Sequence, residues 1–497
     1  MLQSQTILPV LLALGVRAIS IPSGSPSSVL LTSIAPTPNL PACLQSSYYG
    51  SFGGPSESQD HIYLLDSECT TNQLHALSQG SLVGIPQEEG RLVWVGQAGV
   101  AESLRGDISE SWEAIQGHSW ALIASSQIHA ESQHVLGSHQ SHTAPIQLLH
   151  QSASSLLLHV PTSYLPILDT LLPSHLVPVA LPTKPLASGS LWDSVPEKLV
   201  KNLANITKHL KFSSEIDKIV SDGIVLDDVR RNIRWLTGEG PSGIVSRHSF
   251  TEGATKAAHW IKDKVEATGA KCGLHSYLPG FSPSVLCEYP STSNSTEMVI
   301  LSAHYDSRGS FGNTRAPGGD DDGSGSGHLL GIAEAIKSQG VSFEKRAILC
   351  WFSGEEQGLY GSHYFAEYLR GINASVILQV QADMLAYHAP GETLQIALPE
   401  SIHLPEATYL IGNLSHLYAP ELVVGRTASC CSDHQSFLSY GFPATQVSER
   451  NGPIADPEYH SSGDLSGREN YDFSQVVSIA KVTMSALLTV AGYTLKK

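Results

Sequence analysis

The chain has 497 residues, of which 41% are hydrophobic and 15% charged, and its formal net charge is −17 at pH 7. This length is too great for one ordinary hydrophobic core, so it indicates two or three domains. The acidic balance includes no run of Lys or Arg and argues against nucleic acid or an anionic membrane as a partner.

The first twenty residues have the pattern of a secretory signal peptide. An apolar stretch from Ile7 to Val16 precedes Ala18-Ile19-Ser20, whose small residues fit a signal-peptidase site. No later segment has the roughly 18 to 20 continuous apolar residues that a membrane span requires. We therefore expect a signal peptide at residues 1–20 and a secreted, extracellular protein. Glycosylation sequons, typical of exported chains, occur at Asn205, Asn294, Asn373 and Asn413.

Seven cysteines are too few for a disulfide scaffold in a chain of this length, but an oxidising compartment permits local bridges. The local pairs that we expect are Cys43 with Cys69 and Cys272 with Cys287. Cys350 lies within a predicted strand and is expected to be a buried thiol.

The N-terminal half divides into two predicted parts. Residues 21–58 are rich in Ser, Pro and Gly and are expected to form a flexible leader. Short apolar runs such as Ile62–Leu65 and Leu92–Val95 then alternate with polar stretches. This alternation indicates a smaller α/β region over residues 59–200.

The C-terminal part, residues 215–497, alternates regularly between helical and strand-like periods. In chain order we predict a helix over 252–268, a strand over 298–303, a helix over 325–338, a strand over 347–352, a helix over 360–369 and a strand over 376–381. This order predicts an α/β fold with a mixed, mostly parallel sheet flanked by helices. Sites in such sheets form beyond the carboxyl ends of the strands.

Unusual side chains follow the first of these strands. In His304-Tyr305-Asp306-Ser307, the imidazole can bind a metal while Asp306 orients its other ring nitrogen. The three aspartates of Asp320-Asp321-Asp322 then stand in a Gly-rich turn that opens a helix. Consecutive aspartates can equally cap a helix in solvent, so this turn alone does not decide between the two interpretations.

The later strands end in further carboxylates. Glu355 and Glu356 are adjacent at a strand end, where one can bind a metal while its neighbour acts as a base. Asp383 follows the next strand, and His460 occurs downstream with Asp464 four residues later.

Five of these residues form a candidate metal-binding set with two imidazoles and three carboxylates. This composition suits zinc better than calcium or magnesium. If one carboxylate bridges, each of two metals receives one His, one terminal carboxylate and the shared carboxylate. The five residues are His304, Asp320, Glu356, Asp383 and His460.

These motifs, together with Ser432-Asp433-His434, resemble those of the di-zinc aminopeptidases of the MH clan, which include bacterial leucyl aminopeptidases and fungal secreted peptide hydrolases. The resemblance covers about residues 230–495 and implies a zinc exopeptidase fold. It implies two Zn²⁺ ions bridged by Asp320. His304 and Asp383 would complete one site, and Glu356 and His460 the other.

The resemblance also implies an activity and roles for further residues. The enzyme would remove N-terminal, Leu-like residues from peptides, with Glu355 as the base that activates a metal-bridged water. Asp306 would orient His304, and the Asp320–Asp321 peptide bond would be cis. The residues that would form an apolar substrate pocket are Met384, Ile454 and Tyr459.

The chain departs from this family pattern at one point. Many relatives have two spaced cysteines and a tyrosine just before Ser-Asp-His, where this chain has Ser429-Cys430-Cys431.

Several alternatives stay open. A glutaminyl-cyclase-like enzyme shares the fold and uses one zinc, a carboxypeptidase would hold the other end of the peptide, and a non-catalytic binding protein would use the same scaffold. The presence of all five ligands argues against the cyclase and the binding protein. Residues 59–200 are expected to be either a propeptide or a permanent accessory domain.

Overall fold

The computed structural model describes residues 26–496, apart from residues 38, 53–59, 73–79, 133–144, 187–194 and 430. The predicted signal peptide, residues 1–20, lies outside the described residues. The elements group into an N-terminal domain, up to residue 186, and a C-terminal domain that begins near residue 195.

Two antiparallel four-stranded sheets make up most of the N-terminal domain. Its strands are β1 Ser28–Thr32, β2 Tyr48–Phe52, β3 Asp60–Leu65, β4 Gly80–Gly84, β5 Gly90–Gln97, β6 Gln147–Gln151, β7 Ser155–Pro161 and β8 Leu176–Ala180. The first sheet has the order β2-β3-β1-β4 and the second the order β6-β7-β5-β8. The helices are α1 Ala42–Gln45, α2 Ser67–Asn72, α3 Ile108–Ser132 and α4 Leu168–Leu171.

The flexible leader that we predicted over residues 21–58 is wrong for β1 and β2. β1 is an inner strand that pairs with both β3 and β4, and its residues Val29, Leu30 and Leu31 are buried. Local composition misses such a strand because its pairing and burial depend on partners that come later in the chain.

A six-stranded sheet forms the centre of the C-terminal domain. Its strands are β9 Lys271–His275, β10 Ser284–Tyr289, β11 Glu297–His304, β13 Arg346–Phe352, β14 Ser375–Ala382 and β17 Ala444–Val447, and the remaining strands are β12 Val341–Phe343, β15 Gln395–Pro399, β16 Val423–Thr427 and β18 Tyr493–Leu495. The order is β17-β14-β11-β13-β10-β9. The first four strands of this order are parallel, whereas β10 pairs antiparallel with β13 and β9 pairs antiparallel with β10. The predicted mixed, mostly parallel sheet is confirmed.

Nine described helices pack around this sheet. They are α5 Glu197–Lys208, α6 Ser214–Gly223, α7 Leu226–Leu236, α8 Glu252–Glu266, α9 Gly323–Ser338, α10 Tyr360–Gly371, α11 Pro405–Tyr418, α12 His434–Ser439 and α13 Phe473–Ala491. The domain boundary differs from our prediction at residues 200–215, because Leu203 of α5 is fully buried in the main core of the C-terminal domain.

The helix α13 is, among the described residues, the one segment long and apolar enough to cross a membrane. Most of it is instead buried inside the protein, where Val476, Ile479 and Leu487 belong to the main core.

The structure contains both disulfides that the sequence predicted, Cys43–Cys69 and Cys272–Cys287. Cys350 is a buried thiol. All four predicted glycosylation asparagines are exposed.

We expect the double substitution Cys272→Ser/Cys287→Ser to destabilise the C-terminal domain by about 3 kcal/mol, because the bridge closes a loop of this length in the unfolded chain. The two cysteines are separated by 15 residues and face each other on β9 and β10. Thermal unfolding of the variant and of the wild type measures the difference. An unchanged midpoint, with mass spectrometry showing the wild-type bridge intact, would contradict the prediction.

Candidate metal centre

The site lies at the carboxyl edge of the parallel strands. β11 ends at His304, β13 is followed by Ser353, Gly354, Glu355 and Glu356, and β14 is followed by Asp383. Because neighbouring parallel strands end at the same edge, residues distant in sequence meet there.

One carboxylate lies between the two imidazoles. Asp321 Oδ1 is 3.2 Å from His304 Nε2, and Asp321 Oδ2 is 3.2 Å from His460 Nε2. Both histidines and Asp321 are buried. This is the geometry expected of a carboxylate shared by two cations, each also bound by one imidazole.

The structure gives this position to Asp321 and not to Asp320, so our prediction of the shared ligand is wrong by one residue. The Asp320 carboxylate points elsewhere and accepts the backbone N–H groups of Ala386 and Tyr387 at 2.8 and 3.1 Å. The predicted cis peptide bond is displaced in the same way, since it joins Asp321 to Asp322.

The physical reason for the shift lies in the start of α9. Asp322 is its N-cap, and its Oδ1 accepts the backbone N–H of Gly325 at 2.8 Å. We predicted this helix from residue 325, but it begins at Gly323. In a run of three aspartates, an N-cap at 322 leaves residue 321 to face the histidines.

The remaining predicted ligands flank the two imidazoles. Asp383 Oδ1 lies 3.6 Å from His304 Nε2, and Glu356 Oε2 lies 3.4 Å from His460 Nε2. Glu355 Oε2 is 4.0 Å from His304 Nε2, so Glu355 lies near the same imidazole as Asp383. It also borders the neighbouring cavity. The donors therefore form two groups, one around each histidine, joined by Asp321.

These donors fit zinc on two observations. His304 Nε2 and Glu356 Oε1 are buried without a hydrogen-bond partner among the described residues, and a buried polar atom left in that state is costly. Four acidic side chains also converge on two imidazoles, a concentration of buried negative charge that cations would offset. Imidazole and carboxylate donors without sulfur are within the range that zinc accepts.

The buried charges move one another's pKa values apart. Burial, with Asp383 nearby, raises the pKa of Glu355 well above its usual range. Burial alone would also raise the pKa of Asp321, but the close approach of the His304 and His460 imidazoles holds that pKa below its ordinary value. Perturbed carboxylates clustered in a cleft are typical of functional sites.

Asp306 organises the loop that carries the two glutamates. Its carboxylate accepts the backbone N–H groups of Glu355 and Glu356 at 3.4 and 3.3 Å, and the hydroxyl of Ser249 at 3.0 Å. The other nitrogen of His304, Nδ1, is 3.2 Å from the main-chain oxygen of Asp306 and 3.6 Å from its carboxylate. Asp306 thus contacts both the histidine and the glutamate loop.

Two buried arginines that no sequence motif indicates also hold the site. Arg247 donates to the main-chain oxygens of Tyr305, Pro317 and Gly318, which ties the loop after β11 to the aspartate turn. Arg308 lies directly behind His460. Neither arginine belongs to a motif, and only the fold brings them to the site.

Asp464, which the sequence placed beside His460, supports the aspartate turn from below. Its carboxylate accepts the backbone N–H groups of Asp320 and Asp321 at 3.0 Å and pairs with Arg468 at 3.1 Å. Burial raises the pKa of Asp464 to about 8.

The predicted pocket residues Met384, Ile454 and Tyr459 are brought together next to the carboxylates. The cavity they border has a volume of about 30 Å³, which is room for one or two water molecules. Val177 and Pro178 of the N-terminal domain line it as well. Cys431 also borders the cavity, while Cys430 lies outside the described residues.

Residues 284–483 match the model of peptidase family M28. The matched residues lie in the C-terminal domain and include His304, Asp321 and His460 of the candidate metal centre. This similarity agrees with the clustered histidines and carboxylates, because the matched family implies zinc as the cofactor and peptides as substrates.

Similar proteins include fungal enzymes. The chain is 28% identical to leucine aminopeptidase 1 of Sclerotinia sclerotiorum over 292 residues, which cover 54% of this chain and 73% of that protein. It is also 28% identical to leucine aminopeptidase 1 of Metarhizium robertsii over 262 residues, covering 49% and 65% of the two chains.

Solved structures are similar in fold to this chain. The LapA aminopeptidase of Legionella pneumophila superposes with a TM-score of 0.55 at 19% identity, covering 72% of this chain and 96% of LapA. LapB of the same organism gives a TM-score of 0.54 at 18% identity, with coverages of 70% and 95%.

We expect Asp321→Ala to lose both metals, because each of its carboxylate oxygens faces a different histidine. Metal analysis of the purified variant after dialysis measures this. Asp320→Asn is the matched control, and it should keep wild-type metal content because the Asp320 carboxylate binds backbone amides. Full metal content in Asp321→Ala, or loss in Asp320→Asn alone, would contradict the assignment.

Proposed function

We propose that the protein is a secreted aminopeptidase that binds two zinc ions and removes N-terminal residues from peptides. The observation that carries the proposal is the position of Asp321 midway between His304 and His460. A single carboxylate reaching two imidazoles suits a pair of metal ions, with Asp383 completing the His304 site and Glu356 the His460 site.

Zinc bound by these residues would supply Lewis acidity, which polarises a peptide carbonyl and makes a water molecule more acidic. Glu355 is the proposed general base. It stands beside the His304 group and borders the cavity. From there it would accept a proton from the attacking water and return it to the leaving amine. Asp306 would keep the Glu355–Glu356 loop in place through its two backbone hydrogen bonds.

The lining of the cavity favours recognition of a substrate's free amine over its carboxylate, because no cationic side chain borders it among the described residues. The acidic residues that border the cavity are Asp321, Glu355, Glu356 and Asp383, and no Lys or Arg lines it among the described residues. A carboxypeptidase needs a cationic partner for the C-terminal carboxylate of its substrate. The lack of Lys and Arg in the described lining and the names of the fungal relatives support an aminopeptidase.

The proposed preference for Leu-like residues rests on the apolar side of the cavity. Met384, Ile454 and Tyr459 are buried together there and present aliphatic and aromatic surface. Apolar side chains with a few placed polar groups are the usual lining of small-molecule sites.

Export of the chain is proposed on three features. The first is the signal-peptide pattern of residues 1–20, and the others are the two disulfides and the four exposed sequons. Stable disulfides form in oxidising compartments such as the secretory pathway.

The defining experiment compares hydrolysis of leucyl-anilide with that of its N-acetylated form, together with metal analysis before and after chelation. We expect cleavage of the free amine only, lost when about two zinc ions are removed and restored by zinc. Cleavage of the acetylated form as well would contradict recognition of the amine. No cleavage, with one zinc bound, would favour a glutaminyl-cyclase-like enzyme instead.

Glu355→Gln should lower kcat by about 10²- to 10⁴-fold, the range for loss of a general base, while two zinc ions stay bound. Turnover of leucyl-anilide and metal content are measured on the same sample. Glu266→Gln is a suitable control, because Glu266 pairs with Lys262 on the surface. Loss of one zinc with the activity would instead make Glu355 a ligand, which its place in the His304 group would allow.

A further inference from the structure

The N-terminal domain reaches the metal centre through the segment 172–178, which runs into β8. The main-chain oxygen of Ser174 is 2.8 Å from His460 Nδ1. His460 Nε2, on the opposite side of the ring, faces Asp321 and Glu356. One imidazole thus contacts the metal-binding carboxylates with one nitrogen and the other domain with its second.

The contact with Ser174 bears on which ring nitrogen of His460 carries the proton. An imidazole that binds a metal through Nε2 carries its proton on Nδ1, and that proton is usually donated to a carbonyl or carboxylate. Arg308 Nη1 also lies 2.7 Å from His460 Nδ1, but a guanidinium can only donate. Of these two neighbours, only the Ser174 carbonyl can accept the Nδ1 proton.

Arg308 fixes the segment that carries this carbonyl. Its guanidinium donates to the main-chain oxygens of Leu172, Pro173 and Leu176, on both sides of Ser174. Arg308 itself is only 3% exposed. A buried arginine of the C-terminal domain therefore holds the turn of the N-terminal domain in register with His460.

The N-terminal and C-terminal domains also pack closely against each other around the pocket. Ile454 forms a bridge with Val100, and its N–H donates to the main-chain oxygen of Gly99 at 2.8 Å. A Cβ atom on Gly99 would come within 2.6 Å of the backbone of Ala428. Asp169, fully buried, pairs with His248 of the C-terminal domain at 3.0 Å.

We propose that the N-terminal domain contributes directly to the active site and is not removed from the enzyme. This proposal rests on the proposed function. The Ser174 carbonyl positions His460 for its metal, and Val177 with Pro178 forms the wall that limits the substrate side chain. A cavity of about 30 Å³ is far smaller than the roughly 150 Å³ that holds benzene. Val177 and Pro178 contribute to the lining of this small cavity, so shortening Val177 would make room for a larger substrate side chain.

The positioning role is tested with Arg308→Met in the full chain, by metal content during a chelator titration and by the absorption spectrum of the cobalt-loaded protein. We expect one of the two ions to bind about 10- to 100-fold more weakly, as for other lost partners of a metal-binding histidine, and one cobalt band to change. Lys184→Met is the matched control, because Lys184 pairs with Glu367 across the same domain boundary in solvent. Its metal binding should equal that of the wild type.

The wall is tested with Val177→Ala, which leaves Arg308 and the ligands unchanged. We expect kcat/KM for phenylalanyl-anilide relative to alanyl-anilide to rise about 10-fold or more, with wild-type metal content. Val179→Ala on the same strand is the control, because Val179 does not border the cavity. An unchanged ratio would overturn the assigned wall.

A different pattern would identify the domain as an inhibitor. In that case Arg308→Met would keep both metals at wild-type affinity, and Arg308→Met and Val177→Ala would hydrolyse every anilide faster by the same factor. The chelator titration needs no turnover. It therefore tests the positioning role even if the wild type fails to cleave leucyl-anilide and the proposed function falls.

Discussion

The site depends on one buried carboxylate that faces two imidazoles. Asp321 can do so only if its neighbours in the aspartate run are held in other directions. Asp322 caps α9, Asp320 accepts amides of the loop after β14, and Asp464 accepts the amides of Asp320 and Asp321 from below. These bonds satisfy the carboxylates of Asp320 and Asp322 and the amides of Asp320 and Asp321, as burial of such polar groups requires.

Much of the C-terminal domain follows from local patterns. The predicted strand 298–303 corresponds to β11, Glu297–His304, and the predicted helix 360–369 to α10, Tyr360–Gly371. Because parallel strands end at one edge, the residues after them could be grouped into one site before the fold was known. His304 and Asp383 could be assigned to this site from their positions at the strand ends alone.

The parts that sequence analysis missed depend on contacts between distant segments. In Asp320-Asp321-Asp322, spacing alone left the choice of the shared ligand open, because the helix cap fixes which carboxylate turns inward. β1 looked like a flexible leader because its partners β3 and β4 lie beyond it in the chain. The contact between Ser174 and His460 joins residues 286 positions apart, and no local pattern signals it.

His460 has a left-handed backbone conformation, and residues of both domains contact its ring. Its φ of 55° lies in the left-handed region, where a residue with a side chain costs of order 1–3 kcal/mol unless its surroundings over-determine it. Its ring stacks on Tyr459, with centroids 3.7 Å apart, and its Nδ1 meets the Ser174 carbonyl. If the docked N-terminal domain strengthens metal binding at His460, the metal must strengthen docking by the same factor, because coupling free energies are reciprocal.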